Sequence, residues 1–348
     1  INISGGIDSN IVLHHAVKHK SDLTLFSNYF ENAPNEFNHD FEKAKQVADF
    51  YKIKLIKMNI SENDYVNNFY DSFSGIEEVN RNFNNPIYYK SYQYQKSENC
   101  RVILTGDGGD EIFAGYDWYR KGRFSEKFFK LLFISPLKEF SSLLNYFNNY
   151  ERYNLHNSKA NVLKKKNLIF LKGFFKDLFF ESKKFLRNHF DANYLDSWSK
   201  TKMIYDQYLW LSSEVFVRAD KLSMQSSIEI RNPLADHQLR LHLLNKLDKN
   251  NFNSNINKIQ IRNIYKNILP PFITNNKFKF GYKCPNSWME NKKIKEMILN
   301  LTPNYDTEYF NFKLLKDNIS SNKLSIRSRY LMPLFSLLIL ADHNNLKF

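Results

Sequence analysis

Apolar and polar residues follow two different periods along the first hundred positions of the chain. Short apolar segments at residues 23–30, 55–60 and 101–105 have the length and composition of buried strands. Between them, apolar residues recur at helical spacing over residues 11–16 and 41–51. This alternation of strands and helices predicts an α/β fold, in which helices cover both faces of a parallel sheet.

Two further helices are predicted between these segments. Ser61 and Asp64 have the spacing of a capping box, which predicts a helix that runs toward residue 73. Pro86 interrupts the chain, and apolar residues then predict a helix over residues 88–95.

The first glycine-rich segment lies at the start of the chain, where Ser-Gly-Gly-Ile-Asp-Ser occupies residues 4–9. A predicted strand, a tight loop and a helix follow one another here, so backbone amides and the helix N-terminus can bind a phosphate. We expect Gly5 and Gly6 to adopt backbone angles that other residues avoid. Ser4 and Ser9 add hydroxyl donors. The alternative is a glycine-rich turn that only caps an ordinary helix.

Asp8 gives this loop an unusual charge. The lysine of the Walker loop is missing, and a carboxylate stands beside the expected phosphate site instead. The carboxylate would repel a phosphate unless a divalent cation lay between them. The segment therefore predicts Mg²⁺ that bridges Asp8 and phosphate oxygens.

A second glycine-rich segment, residues 105–116, follows the strand predicted at residues 101–105. Three acidic residues, Asp107, Asp110 and Glu111, are interleaved here with glycines. Carboxylates crowded on one turn repel one another, and this raises some of their pKa values unless a cation shares the site. We interpret the segment as part of a functional site, the alternative being a surface turn.

Composition restricts the class of protein. The chain has 348 residues, of which 43% are hydrophobic, so it can bury a large core. Cys100 and Cys284 are too few for a disulfide framework and lack zinc-site spacing, which favours a cytoplasmic location. The longest apolar run, residues 330–341, is shorter than the about 20 residues of a membrane-spanning helix. Because Ile1 stands within a predicted strand, we expect a further N-terminal part.

The formal net charge of +14 would suit a nucleic-acid-binding protein. The lysines are spread along the chain, however, and their densest stretch, residues 159–176, alternates with phenylalanines and leucines. A lysine-rich amphipathic helix of this kind has the same pattern on a solvated face, at a membrane surface or in an RNA-binding patch, and we favour the solvated face. We therefore expect no nucleic-acid partner.

Four segments in order resemble known motifs. The SGGIDS segment resembles the pyrophosphate loop of the PP-loop ATP pyrophosphatases. With LTGDGGDEIFAGY at residues 104–116, it resembles the synthetase domain of glutamine-hydrolysing asparagine synthetases. Residues 218–236 and 277–281 resemble two further motifs of that family, and residues 329–341 resemble its final helix. The chain departs from the pattern at Asp107, where the family mostly carries Glu, and at residues 232–235.

The resemblance implies ATP-dependent amide synthesis by an AMP-forming ligase. The carboxylate of aspartate or a related acid would be adenylated with release of pyrophosphate, and ammonia would then attack. Asp107 and Glu111 would hold the substrate or accept a proton, and Lys277 would stabilise the transition state. Arg231 would pair with these acids or contact substrate. ATP would be bound by Ser4, Gly5, Gly6, Asp8, Ser9 and Gly106, with Mg²⁺ held by Asp8 and Asp110.

The same resemblance implies a domain organisation. We expect a nucleotide-binding α/β core at residues 1–119, a helical insertion of unassigned role at 120–200, and a largely helical C-terminal part at 201–348 that completes the active site. A glutaminase domain of roughly 200 residues, a usual domain size, is expected upstream. Without it this part of the protein would use free ammonia. A homodimer is also considered.

Two alternatives remain. Relatives with the same core amidate or cyclise other carboxylates, such as those of sugars, peptides or lactam precursors. The β-lactam-forming members carry Tyr in the position of Asp107, and this disfavours them. The other alternative is a nucleic-acid-binding or tRNA-modifying PP-loop protein.

Overall fold

The structure is a computed structural model that describes residues 1–120, 198–246, 256–276, 284–308, 310–322, 326 and 331–347. The chain forms two compact units. The first comprises Ile1–Glu77, Asn82–Lys121 and Trp198–Trp288, and the second comprises Glu78–Arg81, Gly122–Ser197 and Met289–Phe348. The helices predicted for most of residues 120–200 lie outside the described residues.

Strands and helices alternate in the N-terminal half of the first unit, as predicted. They are α1 Ile7–Ala16, β1 Thr24–Phe30, α2 His39–Tyr51, β2 Lys54–Ile60, α3 Glu62–Asn67, α4 Phe69–Ser74, α5 Asn85–Ser97 and β3 Val102–Leu104.

The remainder of the first unit is mostly helical. Its elements are α6 Gly109–Ile112, α7 Asp117–Arg120, α8 Trp198–Tyr205, a π-helix Asp206–Phe216, α9 Val217–Gln225, β4 Glu229–Arg231, α10 His237–Lys246, α11 Ile259–Tyr265, α12 Pro271–Thr274 and α13 Asn286–Met289.

All strand pairs among the described residues of the first unit are parallel. β1 pairs with β2, from Thr24 opposite Lys54 to Phe30 opposite Ile60, and β3 pairs with β4. Residues 1–3 lie between β1 and β3, because Ile3 N donates to Phe26 O and Asn2 N donates to Leu104 O. The spatial order is therefore β2, β1, residues 1–3, β3, β4. In chain order this is third, second, first, fourth, fifth, so the direction of winding reverses between residues 1–3 and β3.

Local sequence signals account for the ends of several helices. The capping box is confirmed, since Asp64 N donates to Ser61 Oγ and Ser61 N donates to the Asp64 carboxylate. The predicted break at Pro86 is wrong. Pro86 lies in the first turn of α5, where its missing N–H costs no helical hydrogen bond.

Two apolar clusters lie in the core of the first unit as far as the structure describes it. One packs Leu13 of α1 against Leu25 of β1 and Val47 of α2. The other packs Phe26 of β1 against Ile103 of β3. These contacts hold α1, which the first glycine-rich loop enters, and β3, which the second glycine-rich segment follows.

The second unit contains three helices among the residues that the structure describes, α14 Lys292–Leu301, α15 Phe312–Ser320 and α16 Met332–His343. α14 packs against α15 and α16. Pro333 lies in the first turn of α16 and does not interrupt it. No helix in the described part of the chain is long and apolar enough to cross a bilayer.

Candidate active site

The first glycine-rich loop, residues 4–9, connects the innermost strand segment to α1. The hydroxyls of Ser4 and Ser9 lie 3.2 Å apart, and Ser4 N donates to Ser9 Oγ at 3.3 Å. Gly6 N donates to Ser4 Oγ at 3.1 Å. The two serines thus hydrogen-bond the loop to itself and fix its curvature.

The expectation that Gly5 and Gly6 adopt unusual backbone angles is wrong. Gly6 has φ −79° and ψ 148°, which any residue can adopt, and Gly5 has no positive φ. Gly5 is required for close packing instead. A Cβ atom there would lie 2.8 Å from the Cβ atom of Lys43 on α2. Glycine therefore allows α2 to approach the loop.

The second glycine-rich segment, residues 105–116, approaches the first loop through its glycines. A Cβ atom on Gly106 would lie 2.7 Å from the backbone N of Ser9. A Cβ atom on Gly109 would lie 2.5 Å from Asp8 Oδ1. Gly108 has a φ of +89°, in the left-handed region that favours glycine. The two loops pack so tightly that side chains at Gly106 and Gly109 would collide with the first loop.

Asp8 and Asp110 converge on the ammonium group of Lys258. Lys258 Nζ lies 2.7 Å from Asp110 Oδ1 and donates a hydrogen bond to Asp8 Oδ2. Burial opposes the charge of this lysine, but the two carboxylates outweigh burial and raise the pKa of Lys258. The structure therefore brings the two predicted acids together around a cation that the sequence had not revealed.

The backbone around Lys258 is held in an uncommon conformation. Lys258 has a φ of 55° and precedes the first turn of α11. The guanidinium of Arg262 donates to Asn257 O at 2.8 Å and to Thr274 O at 2.8 Å, joining this turn to the end of α12. The chain contains many lysines, so the sequence does not single out Lys258 as a site residue. The one feature that could have drawn attention to Lys258 is its position directly before the apolar helix α11.

The residues fit the predicted magnesium ion in ligand type. Mg²⁺ is usually held by one or two carboxylates together with substrate phosphates, and Asp8 and Asp110 provide two carboxylates at one point. No cluster of three or more His, Cys, Asp or Glu side chains suited to a metal occurs among the described residues. A protein-only metal cage is therefore not formed by the described part of the chain.

Glu111 lies in the interior next to this group. It is 2% exposed, and Tyr116 Oη donates to its carboxylate at 2.8 Å. Burial, helped by the nearby charge of Asp110, raises the pKa of Glu111 to about 7. Glu111 therefore faces the interior beside Asp110.

Asp107 stands on the more open side of the same loop. Thr105 Oγ1 donates to Asp107 Oδ2 at 2.9 Å. Surrounding protein atoms raise the pKa of Asp107, against the effects of Thr105 and of the charge of Arg218. The residue itself is exposed, so solvent screens part of this effect. Asp107 is thus the acid of this loop that remains accessible to a substrate.

A buried arginine contributes charge near Asp107. Arg218 on α9 donates to Glu214 at 2.8 Å, and its guanidinium lies 4.7 Å from the ring centroid of Tyr88. Arg231, in contrast, pairs with Glu229 at 2.7 Å, and both side chains are exposed. The predicted pairing of Arg231 with the acids of the loop is therefore wrong, because β4 directs both charges into solvent.

The predicted catalytic residue Lys277 lies outside the described residues. Its neighbour Asn276 is described, and Asn276 Nδ2 donates to Gly5 O at 3.4 Å. The segment that ends at Asn276 therefore reaches the first loop.

Comparison with known families shows to which family the chain belongs. Residues 1–338 match the asparagine synthase family. The chain belongs to the asparagine synthase family. This match includes both glycine-rich loops, α11 and most of α16.

Individual members of the asparagine synthase family are distant. The chain is 25% identical to asparagine synthetase (glutamine-hydrolyzing) 1 of Bacillus subtilis, over 96% of the chain and 54% of that protein. It is 23% identical to asparagine synthetase (glutamine-hydrolyzing) 3 of the same organism, over 77% of the chain and 42% of that protein. An amidase of Gibberella zeae is 24% identical over 36% of the chain. The chain spans about half the length of the first of these relatives.

Proposed function

We propose that this member of the asparagine synthase family uses ATP to adenylate a carboxylate and then joins the acyl group to ammonia. The proposed substrate is aspartate or a related acid, and the protein is an AMP-forming carbon–nitrogen ligase. The observation that carries the proposal is the convergence of Asp8, Asp110 and Lys258 between two glycine-rich loops. These loops follow adjacent parallel strands at the point where winding reverses, the usual ligand site of such sheets.

Adenylation explains why an anion-binding loop and a cation occur together. A carboxylate is a poor electrophile, since its leaving group would be oxide, and a mixed anhydride with AMP removes this obstacle. We assign the pyrophosphate of ATP to Ser4, Gly5, Gly6 and Ser9, with Gly106 beside them, as in a PP-loop ATP pyrophosphatase fold. The backbone amides at the start of α1 and the helix dipole favour an anion at this position.

Positive charge near the leaving pyrophosphate is supplied by protein side chains. The buried Lys258 ammonium, whose pKa is raised by Asp8 and Asp110, offsets one of their two negative charges at the junction of the loops. We also assign Lys277 to this role, since Asn276 contacts the first loop. Magnesium held by Asp8 and Asp110 would, when bound, neutralise further negative charge on the phosphates.

The acyl-acceptor side is assigned to the second loop. Asp107 is exposed and has a raised pKa, so it is suited to bind the amino group of the substrate or to take a proton from ammonia. Glu111 is assigned a supporting role, because its carboxylate is buried and receives the Tyr116 hydroxyl.

The ammonia source and cellular context are part of the proposal. The two Bacillus subtilis relatives are named as glutamine-hydrolysing enzymes and are longer than this chain. We propose that a glutaminase domain precedes residue 1 in the full-length protein and that the protein acts in the cytoplasm. The homodimer stays a prediction, as does the division of the chain at residues 119 and 200.

A carboxylate-dependent exchange assay tests this function. The full-length protein is incubated with ATP, Mg²⁺ and labelled pyrophosphate, with aspartate and then with a panel of other carboxylates. Exchange of label into ATP that requires aspartate supports asparagine synthesis. Exchange with another acid alone would move the assignment to a relative that amidates or cyclises that acid. Exchange that requires tRNA, or none with any acid, would contradict the proposal.

A further inference from the structure

Asn10 lies one residue beyond the first glycine-rich loop and is completely buried, at 0% exposure. Its side-chain amide Nδ2 donates to Ser4 O at 3.1 Å and to Gly6 O at 2.7 Å. In the described part of the chain, its Oδ1 atom accepts no hydrogen bond. The side chain therefore serves only as a donor, and both of its bonds go to loop carbonyls.

The two bonds determine the direction of two backbone amides. In a trans peptide the carbonyl oxygen of one residue and the N–H of the next point in opposite directions, and no described peptide is cis. Because Asn10 holds Ser4 O and Gly6 O on one side of the loop, the N–H groups of Gly5 and Ile7 point to the other side.

An acidic side chain on that other side supports this geometry. Gly5 N donates to Asp40 Oδ1 on α2 at 3.3 Å. Burial raises the pKa of Asp40, and the bond from Gly5 opposes this effect. The amide that Asn10 directs outward therefore already faces an anionic acceptor.

We propose that Asn10 is a positioning residue that orients the Gly5 and Ile7 amides for the pyrophosphate of ATP. This inference rests on the proposed function, and it adds a residue outside the loop that determines how the loop binds phosphate. Without Asn10, Ser4 O loses a hydrogen bond of 3.1 Å and Gly6 O loses one of 2.7 Å. Gly6 O keeps the bond of 3.3 Å from Ser9 Oγ, so we expect the larger change of direction at the Gly5 amide.

Asn38 provides a matched control. It is also a buried asparagine with two backbone bonds, since Phe30 N donates to Asn38 Oδ1 at 2.7 Å and Asn38 Nδ2 donates to Phe30 O at 3.0 Å. Its bonds do not involve the glycine-rich loop. Asn10→Ala and Asn38→Ala therefore remove comparable interactions at different places.

The experiment measures binding of pyrophosphate and of ATP with Mg²⁺ to the full-length protein by calorimetry. We expect Asn10→Ala and the isosteric Asn10→Asp to weaken both ligands at least ~10-fold, about 1.4 kcal/mol. The KM for the carboxylate should stay unchanged in exchange assays. Asn38→Ala should lower the thermal midpoint about as much as Asn10→Ala does. It should nevertheless leave the affinities for pyrophosphate and ATP within ~2-fold of wild type.

Two results would overturn the proposal. A folded Asn10 variant that binds pyrophosphate as tightly as wild type would do so. In isotope-labelled wild type, which does not depend on the folding of a variant, we expect pyrophosphate to shift the amide resonances of Gly5 and Ile7, and unchanged resonances would also overturn it. Failure of wild type to bind ATP and pyrophosphate at all would instead contradict the proposed function itself.

Discussion

Lys258 Nζ lies 2.7 Å from Asp110 Oδ1, although the two residues are far apart in the chain and in different loops. The same ammonium also contacts Asp8, which precedes Lys258 by 250 positions. Because two adjacent carboxylates repel each other, a cation between them is what allows the glycine-rich loops to pack together. Lys258 therefore links the packing of the fold to the charge of the candidate site.

Replacing Lys258 should destabilise the protein strongly. Lys258→Met keeps much of the side-chain volume but removes the ammonium that lies between the carboxylates of Asp8 and Asp110. Removing one member of a buried ion pair typically costs about 3 to 5 kcal/mol. We expect a loss of this size in the free energy of unfolding of the first unit, measured with urea.

Magnesium provides the control for this prediction. If Asp8 and Asp110 can hold Mg²⁺, added Mg²⁺ should raise the thermal midpoint of Lys258→Met more than that of wild type, because the ion replaces the lost charge. An equal effect of Mg²⁺ on both proteins would argue against a metal at these two carboxylates. Unfolding that is insensitive to the substitution would contradict the buried ion pair itself.

Removing either carboxylate should suppress adenylation. Asp8→Asn and Asp110→Asn keep the shape of the side chain but remove its charge. We expect the rate of ATP–pyrophosphate exchange to fall by at least ~100-fold, which is about 2.7 kcal/mol of transition-state stabilisation. Higher Mg²⁺ concentration should recover part of this loss if the acids bind the ion.

Asp64 is the matched control for these variants. It is also an aspartate in an ion pair, with Lys90 at 2.8 Å, but it lies in α3, outside both loops. Asp64→Asn should leave the exchange rate within ~2-fold of wild type, a difference below 1 kcal/mol. Near-normal exchange in both Asp8→Asn and Asp110→Asn would end their assignment as metal ligands.

The close contact between the loops makes Gly109 sensitive to a single methyl group. In Gly109→Ala the new Cβ atom would lie 2.5 Å from Asp8 Oδ1, so the Asp8 carboxylate or the loop must move. A displacement of about 1 Å can cost ~100-fold in rate. We expect exchange activity to fall to that extent while the protein stays folded, as judged by circular dichroism.

Gly75 offers a comparison outside the site. Alanine at Gly75 would collide with the side-chain amide of Gln225. Gln225 is exposed, however, and the end of its flexible side chain can move away. Gly75→Ala should therefore leave exchange unchanged. Full activity in Gly109→Ala would mean that the loops are less tightly packed than their geometry indicates.

Much of the α/β part could be predicted because its signals are local. β1 and β2 are apolar segments bounded by polar residues, and each was placed within one residue of its observed range. Both glycine-rich loops follow strands, so their meeting at one edge of the sheet followed from the alternation alone. The pairing of Asp8 with Asp110 itself was implied by the resemblance to the asparagine synthetases.

The parts that were missed depend on tertiary contacts. β4 has only three residues, Glu229–Arg231, with charged side chains at both ends, and pairing with β3 makes it a strand. The role of glycine at Gly5 comes from contact with α2, which no local pattern reveals. Burial of Lys258 likewise arises from loops that precede it by more than 140 residues, so its sequence looks like that of a surface lysine.

The ion pair of Asp64 makes a final prediction about acid stability. Burial acts to raise the pKa of Asp64, but hydrogen bonds from Lys90 and Ser61 outweigh it, so the pKa lies below its ordinary value. A carboxylate with a lowered pKa in the folded state stabilises the protein above the pKa of the unfolded chain. This contribution is lost as the pH falls through the lowered value.

Asp64→Asn should therefore cost stability at neutral pH but less in acid. The neutral amide can still accept from Ser61 N, so the capping box persists in part and the charge pair alone is lost. We expect the difference in unfolding free energy between wild type and Asp64→Asn to be constant above about pH 5 and to shrink below about pH 4. In Lys90→Met the unfolding free energy should also depend less on pH between pH 3 and 5, because this variant lacks the main group that lowers the pKa of Asp64. Urea unfolding at pH 3, 4, 5 and 7 measures both variants, and a difference that stays constant down to pH 3 would mean that Lys90 and Ser61 do not hold Asp64 in its charged form.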